Sequence, residues 1–213
     1  LKLPSRWLER ARPAHCAGAT WPGWASPPVS CRAGLARGGG RAAATAGMAH
    51  VSRELLKREL VQLMKDDSSG FSVGLEDDSD FFKWRIVFEG PPDSLYEGGI
   101  FSAVMSFPAD FPNNPPEMRF ETEMWHPNIY PDGRVCISIL HPPGTDQFNE
   151  RESADERWRP ILGVHAILVS VVSMLLDPNL ESPANIDAAV HMKNDPDGWK
   201  KKVRLITRKS VEG

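Results

Sequence analysis

The chain of 213 residues has little cysteine. Cys16 and Cys31 lie near its start, and Cys136 is the only cysteine in the remainder. Three cysteines placed in this way cannot build the disulfide framework of a small secreted domain, and their spacing matches no zinc site. We therefore expect a reducing compartment and no bound metal. Cys136, which has no partner thiol within residues 48–213, becomes a candidate reactive thiol.

Long hydrophobic runs are also missing. The best candidate, residues 164–176, is interrupted by His165 and two serines and is shorter than the roughly 20 residues that cross a bilayer. The sequence therefore predicts an intracellular, cytoplasmic domain without a membrane span.

Charge divides the chain into two parts. Residues 1–47 hold seven Lys or Arg and one acid, Glu9, whereas residues 48–213 hold 18 basic and 27 acidic residues. The first part also contains the run Gly38–Gly40 and has no sustained apolar period, which predicts a disordered basic extension. A transit peptide, a regulatory tail and sequence foreign to the native protein all remain open for it. Residues 48–213 are predicted to fold, and their acidic balance argues against nucleic-acid binding.

The pattern of apolar residues in the second part predicts an α+β fold. A helical period covers residues 50–66, with Ser52 as its candidate cap. Four short apolar segments then follow with short links, as expected of an antiparallel meander: Phe71–Leu75, Phe81–Glu89, Ile100–Phe107 and Glu117–Phe120. A long loop fills residues 121–160. Helices are predicted from Gly163 to Leu176, around Asn185–Met192 and from Trp199 to about Lys209.

Cys136 lies in the long loop, just after the turn Pro131-Asp132-Gly133 and eight residues after the amide of Asn128. Thiolate sulfur is a strong nucleophile even when only a small fraction of the thiol is ionised. No Cys-x-x-Cys pair and no adjacent base is evident in the sequence. The site therefore suits a carrier that accepts an already activated acyl group. A lone cysteine can equally be a small buried hydrophobe.

The segment His126-Pro127-Asn128, followed by Cys136, resembles the signature of ubiquitin-conjugating enzymes. The resemblance extends over about residues 50–210 and includes Tyr96-Glu97-Gly98-Gly99 and Pro115-Pro116. It implies a UBC-like fold and an acyltransferase that takes ubiquitin from the activating enzyme as a thioester on Cys136. A ubiquitin ligase then helps to pass ubiquitin to a lysine. The domain would bind no cofactor, because ATP is used upstream by the activating enzyme.

Three alternatives remain. The chain could carry another ubiquitin-like modifier, serve as a non-catalytic ubiquitin-binding adaptor, or act as a cysteine hydrolase with His126 as its base. Adaptors of this fold lack the cysteine that is present here as Cys136.

The resemblance also implies roles for the neighbours of Cys136. Asn128 would stabilise the oxyanion or support the loop, although it could instead cap the turn at 131–133. His126 would be structural, held by loop hydrogen bonds. Ser182 stands at a gate position where many members have an aspartate.

Trp158 follows Cys136 by 22 residues, a longer interval than in most family members. The additional residues carry five acids against two arginines, and we call residues 142–156 the acidic insertion. An insertion here resembles the acidic-loop subclass, and residues 124–140 most resemble its G-type branch, which is associated with endoplasmic-reticulum-associated degradation. This implies polyubiquitin chains for proteasomal degradation and a partner that recruits the enzyme to the endoplasmic reticulum surface. A solvated loop without a catalytic part is the alternative.

Partner surfaces follow from the same resemblance. Ligase contacts are expected from the first helix and two loops, at Arg53, Lys57, Asn113, Asn114, Pro160 and Ile161. An apolar residue is usual at the position of Asn113. The central helix would face the tethered ubiquitin near Val169 and Ser173.

Overall fold

The computed structural model describes residues 39–65, 70–145 and 152–212. Its elements follow in the order α1 (Gly39–Leu63), β1 (Phe71–Leu75), β2 (Lys83–Glu89), β3 (Ile100–Ser106), β4 (Glu117–Phe120), α2 (Val164–Leu176), α3 (Ile186–Asn194) and α4 (Pro196–Glu212). A 3-10 turn at Ser138–Leu140 lies between β4 and α2. This order confirms the predicted α+β fold.

Helix α1 begins earlier than the apolar period predicted. Residues 42–44 are alanines, the best helix formers, and they extend the helix beyond its amphipathic part. Ser52 is therefore inside the helix, and its predicted role as a cap is wrong. Its buried hydroxyl instead donates to the carbonyl oxygens of Ala109 and Phe111, at 3.1 and 2.6 Å. The division between residues 1–47 and 48–213 stays a prediction, since residues 1–38 lie outside the described part.

The four strands form one antiparallel sheet in the order β1-β2-β3-β4, which is the predicted meander. The alternating pattern of β2 places Trp84, Ile86 and Phe88 on the inner face, where none is exposed to solvent. In the register of β2 and β3, these residues pair with Met105, Ala103 and Phe101, which are equally buried. The period-two sequence pattern thus produces one apolar face of the sheet.

Helix α2 packs against that face. Its residues Val164, Ile167, Leu168 and Val171 are fully buried and belong to the same core as the inner sheet residues. Burying each such side chain contributes about 1.5–3 kcal/mol, so α2 is held firmly. Its first backbone N–H, at Val164, donates to a carboxylate oxygen of Glu59 in α1 at 2.9 Å. One helix therefore caps the next.

The last two helices complete the domain. Asn185 caps α3 by accepting a hydrogen bond from the N–H of Ala188, at 3.0 Å. Helix α4 buries Val203 and Ile206, and the hydroxyl of Thr207 donates to the carbonyl oxygen of Leu95 at 3.2 Å. Over the described part of the chain, no helix is both long and apolar enough to span a membrane.

Candidate active site

A tight hairpin leads into Cys136. Ile129 and Val135 form an antiparallel bridge, and the N–H of Gly133 donates to the carbonyl oxygen of Tyr130 at 2.9 Å. Gly133 has φ 89°, and a side chain there would also overlap the carbonyl oxygen of Phe120. Only glycine satisfies both conditions. The hairpin is therefore pressed against the end of β4, which fixes where Cys136 begins.

Asn128 also fixes the backbone position of Cys136. Its carbonyl oxygen accepts the N–H of Cys136 at 3.0 Å. Its buried side-chain amide donates to the carbonyl oxygen of Asn179 at 2.9 Å and accepts the N–H of Asn179 at 2.8 Å. Within the described residues, the hydrogen bonds of this amide thus reach the segment after α2. They do not reach the turn at 131–133, where Asp132 caps Arg134 instead.

His126 is fully buried beneath this loop. Its Nδ1 accepts the N–H of Asn128 at 2.9 Å, so Nε2 carries the hydrogen and donates to the carbonyl oxygen of Met174 at 3.1 Å. Burial lowers the pKa of His126 to about 4, although the bond to Met174 opposes this shift. The imidazole is therefore neutral at physiological pH and ties the loop to α2. This geometry fits the expected structural role and offers no base for a hydrolase.

Ser182 is buried, with 4% of its surface exposed. Its hydroxyl oxygen and the Nδ2 of the nearby Asn185 have no hydrogen-bond partner among the described residues. Neighbouring Glu181 donates its N–H to the side-chain oxygen of Asn179, at 2.9 Å. The expected gate residue is thus in the same segment that holds Asn128. Its part in catalysis stays a prediction.

A histidine side chain lies beside the sulfur of Cys136. The sequence-based expectation of a site without an adjacent base is therefore wrong. The Nε2 of His141 lies 3.7 Å from the sulfur. The Nδ1 of His141 lies 2.8 Å from a carboxylate oxygen of Glu152, whose other oxygen accepts from Arg157 at 3.0 Å. The short turn at Ser138–Leu140 reverses the chain and returns His141 to the cysteine. The spacing Cys-x₄-His was the signal that sequence reasoning overlooked.

Cys136 lies at the surface of the core, with 8% of the residue exposed to solvent. The other two cysteines, Cys16 and Cys31, lie outside the described residues. The role of Cys136 as the thioester nucleophile stays a prediction.

The expected ligase-contacting residues lie on segments that the structure joins together. Trp158 donates its indole N–H to the carbonyl oxygen of Pro112 at 2.6 Å, which links the loop of Asn113 and Asn114 to the loop of Pro160 and Ile161. Ser52 links α1 to the first of these loops, as described above. Asn113, Asn114, Pro160 and Ile161 are exposed, Ile161 at 87%.

Two basic residues complete this surface. Arg53 and Lys57 of α1 lie over the ring of Phe81, at 4.9 and 5.4 Å from its centroid. On α2, Val169 is exposed and Ser173 is half-buried. Residues 146–151 of the acidic insertion lie outside the described part. Among the described residues, no cluster of His, Cys, Asp and Glu is arranged to hold a metal ion.

Comparison with known proteins places this geometry in a family. The family model for ubiquitin-conjugating enzymes matches residues 55–207. The chain is 53% identical over 161 residues to ubiquitin-conjugating enzyme E2 15 of Schizosaccharomyces pombe, covering 76% of this chain and 96% of the relative. It is 47% identical over 164 residues to human ubiquitin-conjugating enzyme E2 G2, covering 77% and 99%.

A solved structure agrees. The structure of human ubiquitin-conjugating enzyme E2 G1 matches with a TM-score of 0.53 and 50% identity, covering 60% of this chain and 96% of that chain. Together with the antiparallel meander, the long loop and Cys136 after His-Pro-Asn, these matches decide the classification: the chain belongs to the ubiquitin-conjugating enzyme family and to its G-type subclass.

Proposed function

We propose that Cys136 is the residue that carries ubiquitin. Reduced Cys136 accepts the carboxyl terminus of ubiquitin from the activating enzyme as a thioester and transfers it to a lysine with the help of a ligase. The observation that carries this proposal is the fixed position of the cysteine. A tight hairpin sets its N-terminal side, and the hydrogen bond from its N–H to Asn128 holds its backbone.

The test is a charging reaction. The reduced full chain is incubated with activating enzyme, ATP and ubiquitin, and the products are separated with and without reductant. We expect a reductant-sensitive adduct that Cys136→Ala abolishes and that Cys136→Ser converts to a reductant-resistant ester. The matched control, Cys16→Ser with Cys31→Ser, should charge like the wild type. An adduct that survives Cys136→Ala would refute the proposal, and charging by another modifier alone would identify a different carrier.

Asn128 supports the loop and stabilises the oxyanion in this proposal. Its amide fixes the segment of Asn179, and a donor near the thioester is worth about 10²–10³ in rate. Asn128→Asp keeps the acceptor oxygen and removes the donor. We expect it to slow discharge to free lysine much more than it slows charging. Equal slowing of both steps, in step with a lowered melting temperature, would leave only the supporting role.

Ser182 acts at the gate for the incoming lysine. Its buried hydroxyl lacks a partner among the described residues, so the site can accept a hydrogen-bonding group. Ser182→Asp and Ser182→Ala should therefore give different rates of lysine discharge from the loaded enzyme. Identical rates would exclude a part in this step.

We infer that the acidic insertion directs the enzyme toward polyubiquitin chains for proteasomal degradation. Its described part carries Glu152, Asp155 and Glu156, and its acids can steer a basic surface of an acceptor ubiquitin. Degradation at the endoplasmic reticulum would follow from a recruiting partner, because the enzyme would otherwise act in the cytoplasm. Chain assembly from ubiquitin alone, followed on gels, tests the first step.

The partner surfaces complete the proposal. A RING-type ligase binds the joined surface of Arg53, Lys57, Asn113, Asn114, Pro160 and Ile161, and the tethered ubiquitin packs near Val169 and Ser173. The exposed apolar side chain of Ile161 supports the ligase surface, because it can anchor an interface. ATP is used by the activating enzyme, and this domain needs no cofactor. Ile161→Ala should weaken ligase-stimulated discharge and leave unstimulated discharge unchanged.

A further inference from the structure

We propose that His141, oriented by Glu152, accepts the proton of the Cys136 thiol and returns it during ubiquitin transfer. This inference rests on the proposed role of Cys136 as the ubiquitin carrier. It adds a catalytic residue, His141, and a positioning residue, Glu152, both from the segment between the cysteine and Trp158.

The geometry places an imidazole between a sulfur and a carboxylate. Nε2 of His141 lies 3.7 Å from the sulfur, within hydrogen-bonding distance for sulfur, and Nδ1 lies 2.8 Å from Oε1 of Glu152. A general base must be within such reach of the proton that it takes, and it works best when a third group orients it. His141, with 21% of its side chain exposed, can also exchange protons with solvent.

Glu152 is built to stay ionised. Burial raises the pKa of Glu152, but hydrogen bonds from His141 and Arg157 and the charge of His141 outweigh that effect and hold the pKa below its ordinary value. Its side chain is fully buried, and Oε2 accepts from Nε of Arg157 at 3.0 Å. Because the carboxylate can only accept, Nδ1 of His141 carries a hydrogen. Whenever the ring carries a single hydrogen, Nε2 therefore presents its lone pair to the sulfur.

Arg157 anchors the arrangement. Its Nη1 donates to the carbonyl oxygen of Pro142 at 3.2 Å, and the N–H of Trp158 donates to the carbonyl oxygen of His141 at 3.1 Å. The two described ends of the acidic insertion are thus tied together beside the cysteine. The ionisable groups along this line are the Cys136 thiol, the His141 imidazole, the Glu152 carboxylate and the Arg157 guanidinium.

The proton transfers balance in both steps. In charging, Nε2 takes the S–H proton and the thiolate attacks the activated carboxyl carbon of ubiquitin. The new S–C bond forms, the C–S bond that joined ubiquitin to the activating enzyme breaks, and the sulfur of that enzyme leaves as a thiolate. In discharge, the lysine amine attacks the thioester carbon, the N–C bond forms, and the C–S bond breaks. Nε2–H then returns a proton to the departing sulfur, and the amine loses its own proton to solvent.

The thiol itself provides a test that needs no ubiquitin. The full chain is reduced, and its alkylation by iodoacetamide is followed from about pH 5.5 to 9.5, across the range in which thiols ionise. The wild type should show its inflection below the ordinary value of about 8.5, and His141→Gln should return it toward that value. A return of the inflection by one pKa unit lowers the thiolate fraction near pH 7 about tenfold. For a shift of that size, His141→Gln should react about tenfold more slowly than the wild type.

Matched variants test whether proton transfer through His141 and Glu152, here called the relay, causes the shift, rather than a general change in the insertion. Glu152→Gln should move the inflection in the same direction as His141→Gln, and it answers the question alone if His141→Gln does not fold. The controls are Glu156→Gln, an exposed acid of the same insertion, and His165→Gln, an exposed histidine on α2. Both should keep the wild-type inflection.

Two results would overturn the proposal. One is an unchanged inflection in folded His141→Gln and Glu152→Gln, which would leave the cluster a purely structural tie. The other is a loss of reactivity that follows the melting temperature without moving the pH profile. If charging at Cys136 fails in every variant including the wild type while the alkylation profile still shifts, the proposed function has failed and the relay has not.

Discussion

At the scale of single residues, the site depends on side chains that are buried and neutral. His126 has hydrogen bonds at both ring nitrogens and touches no solvent, so a charge on it would face the core. Asn128 is buried as well, and its side-chain amide forms hydrogen bonds through both its nitrogen and its oxygen. These residues shape the loop, whereas His141 and Cys136 face each other across it.

The low pKa of His126 predicts a pH dependence of stability. Its pKa is about 4 in the folded chain and near 6.5 when unfolded, so protonation favours unfolding. The stabilisation is complete above about pH 6.5 and disappears as the pH falls toward 4, with a total of about 3 kcal/mol.

Urea unfolding of the reduced chain at several pH values checks this prediction. His126→Gln should remove the corresponding part of the pH dependence, whereas the exposed control His165→Gln should keep it. A variant of His126 that retains the full slope between pH 4 and 6.5 would show that another group causes it.

At the scale of elements, the hairpin at 129–135 determines where the cysteine lies. Gly133→Ala would need a left-handed conformation, at about 1–2 kcal/mol, and its new carbon would also meet the carbonyl oxygen of Phe120. Gly98→Ala is the matched control, because Gly98 also has positive φ (77°) but has open space around it. We expect a larger fall in melting temperature and slower charging for Gly133→Ala only. Equal losses would mean that backbone conformation alone is responsible.

The junction of α1 and α2 gives a second prediction at this scale. Glu59 accepts the first N–H of α2, and losing such a cap costs about 0.5–2 kcal/mol. Glu59→Ala should lower the free energy of unfolding by that amount, and Glu59→Gln, which retains an acceptor, by less. Glu54→Ala on the same helix removes only an exposed ion pair with Lys57 and should lower stability less than Glu59→Ala. Thermal and urea unfolding of the three variants measure these differences.

The strands and the central helix could be predicted because their own sequences carry the period of the structure. Alternation in β2 and the helical period of α2 each identify the face that becomes buried. The start of α1 could not be read in this way, since alanines extend a helix without any apolar period. The pairing of His141 with Cys136 also escaped prediction. It depends on a short turn and on Glu152, which is brought in from sixteen positions beyond the cysteine.

At the scale of the whole molecule, charge is divided between surfaces. Basic residues of α1, Arg53 and Lys57, belong to the expected ligase surface. The described part of the insertion carries Glu152, Asp155 and Glu156, and Glu152 contacts His141 beside the cysteine. Such a distribution can orient charged partners before they bind, and salt weakens this steering by screening the charges.

Neutralising part of the insertion tests this distribution. Asp146→Asn with Glu150→Gln removes two acids and keeps Glu152 and its contacts. We expect slower chain formation, a weaker dependence of that rate on salt, and unchanged charging. Asp77→Asn with Asp78→Asn, a pair of acids between β1 and β2, serves as the control with the same change in net charge. If chain formation slows equally in both doubles, only the net charge matters.

Trp158 sets the spacing between two regions that perform different tasks. Its ring contacts the loop before Asn113, and its backbone contacts His141. The indole is rigid and fully buried, so it fixes the distance between Pro112, beside the expected ligase surface, and the backbone of Trp158. Because that backbone holds the carbonyl oxygen of His141, the loop of Pro112 and the residue beside the sulfur share one rigid support.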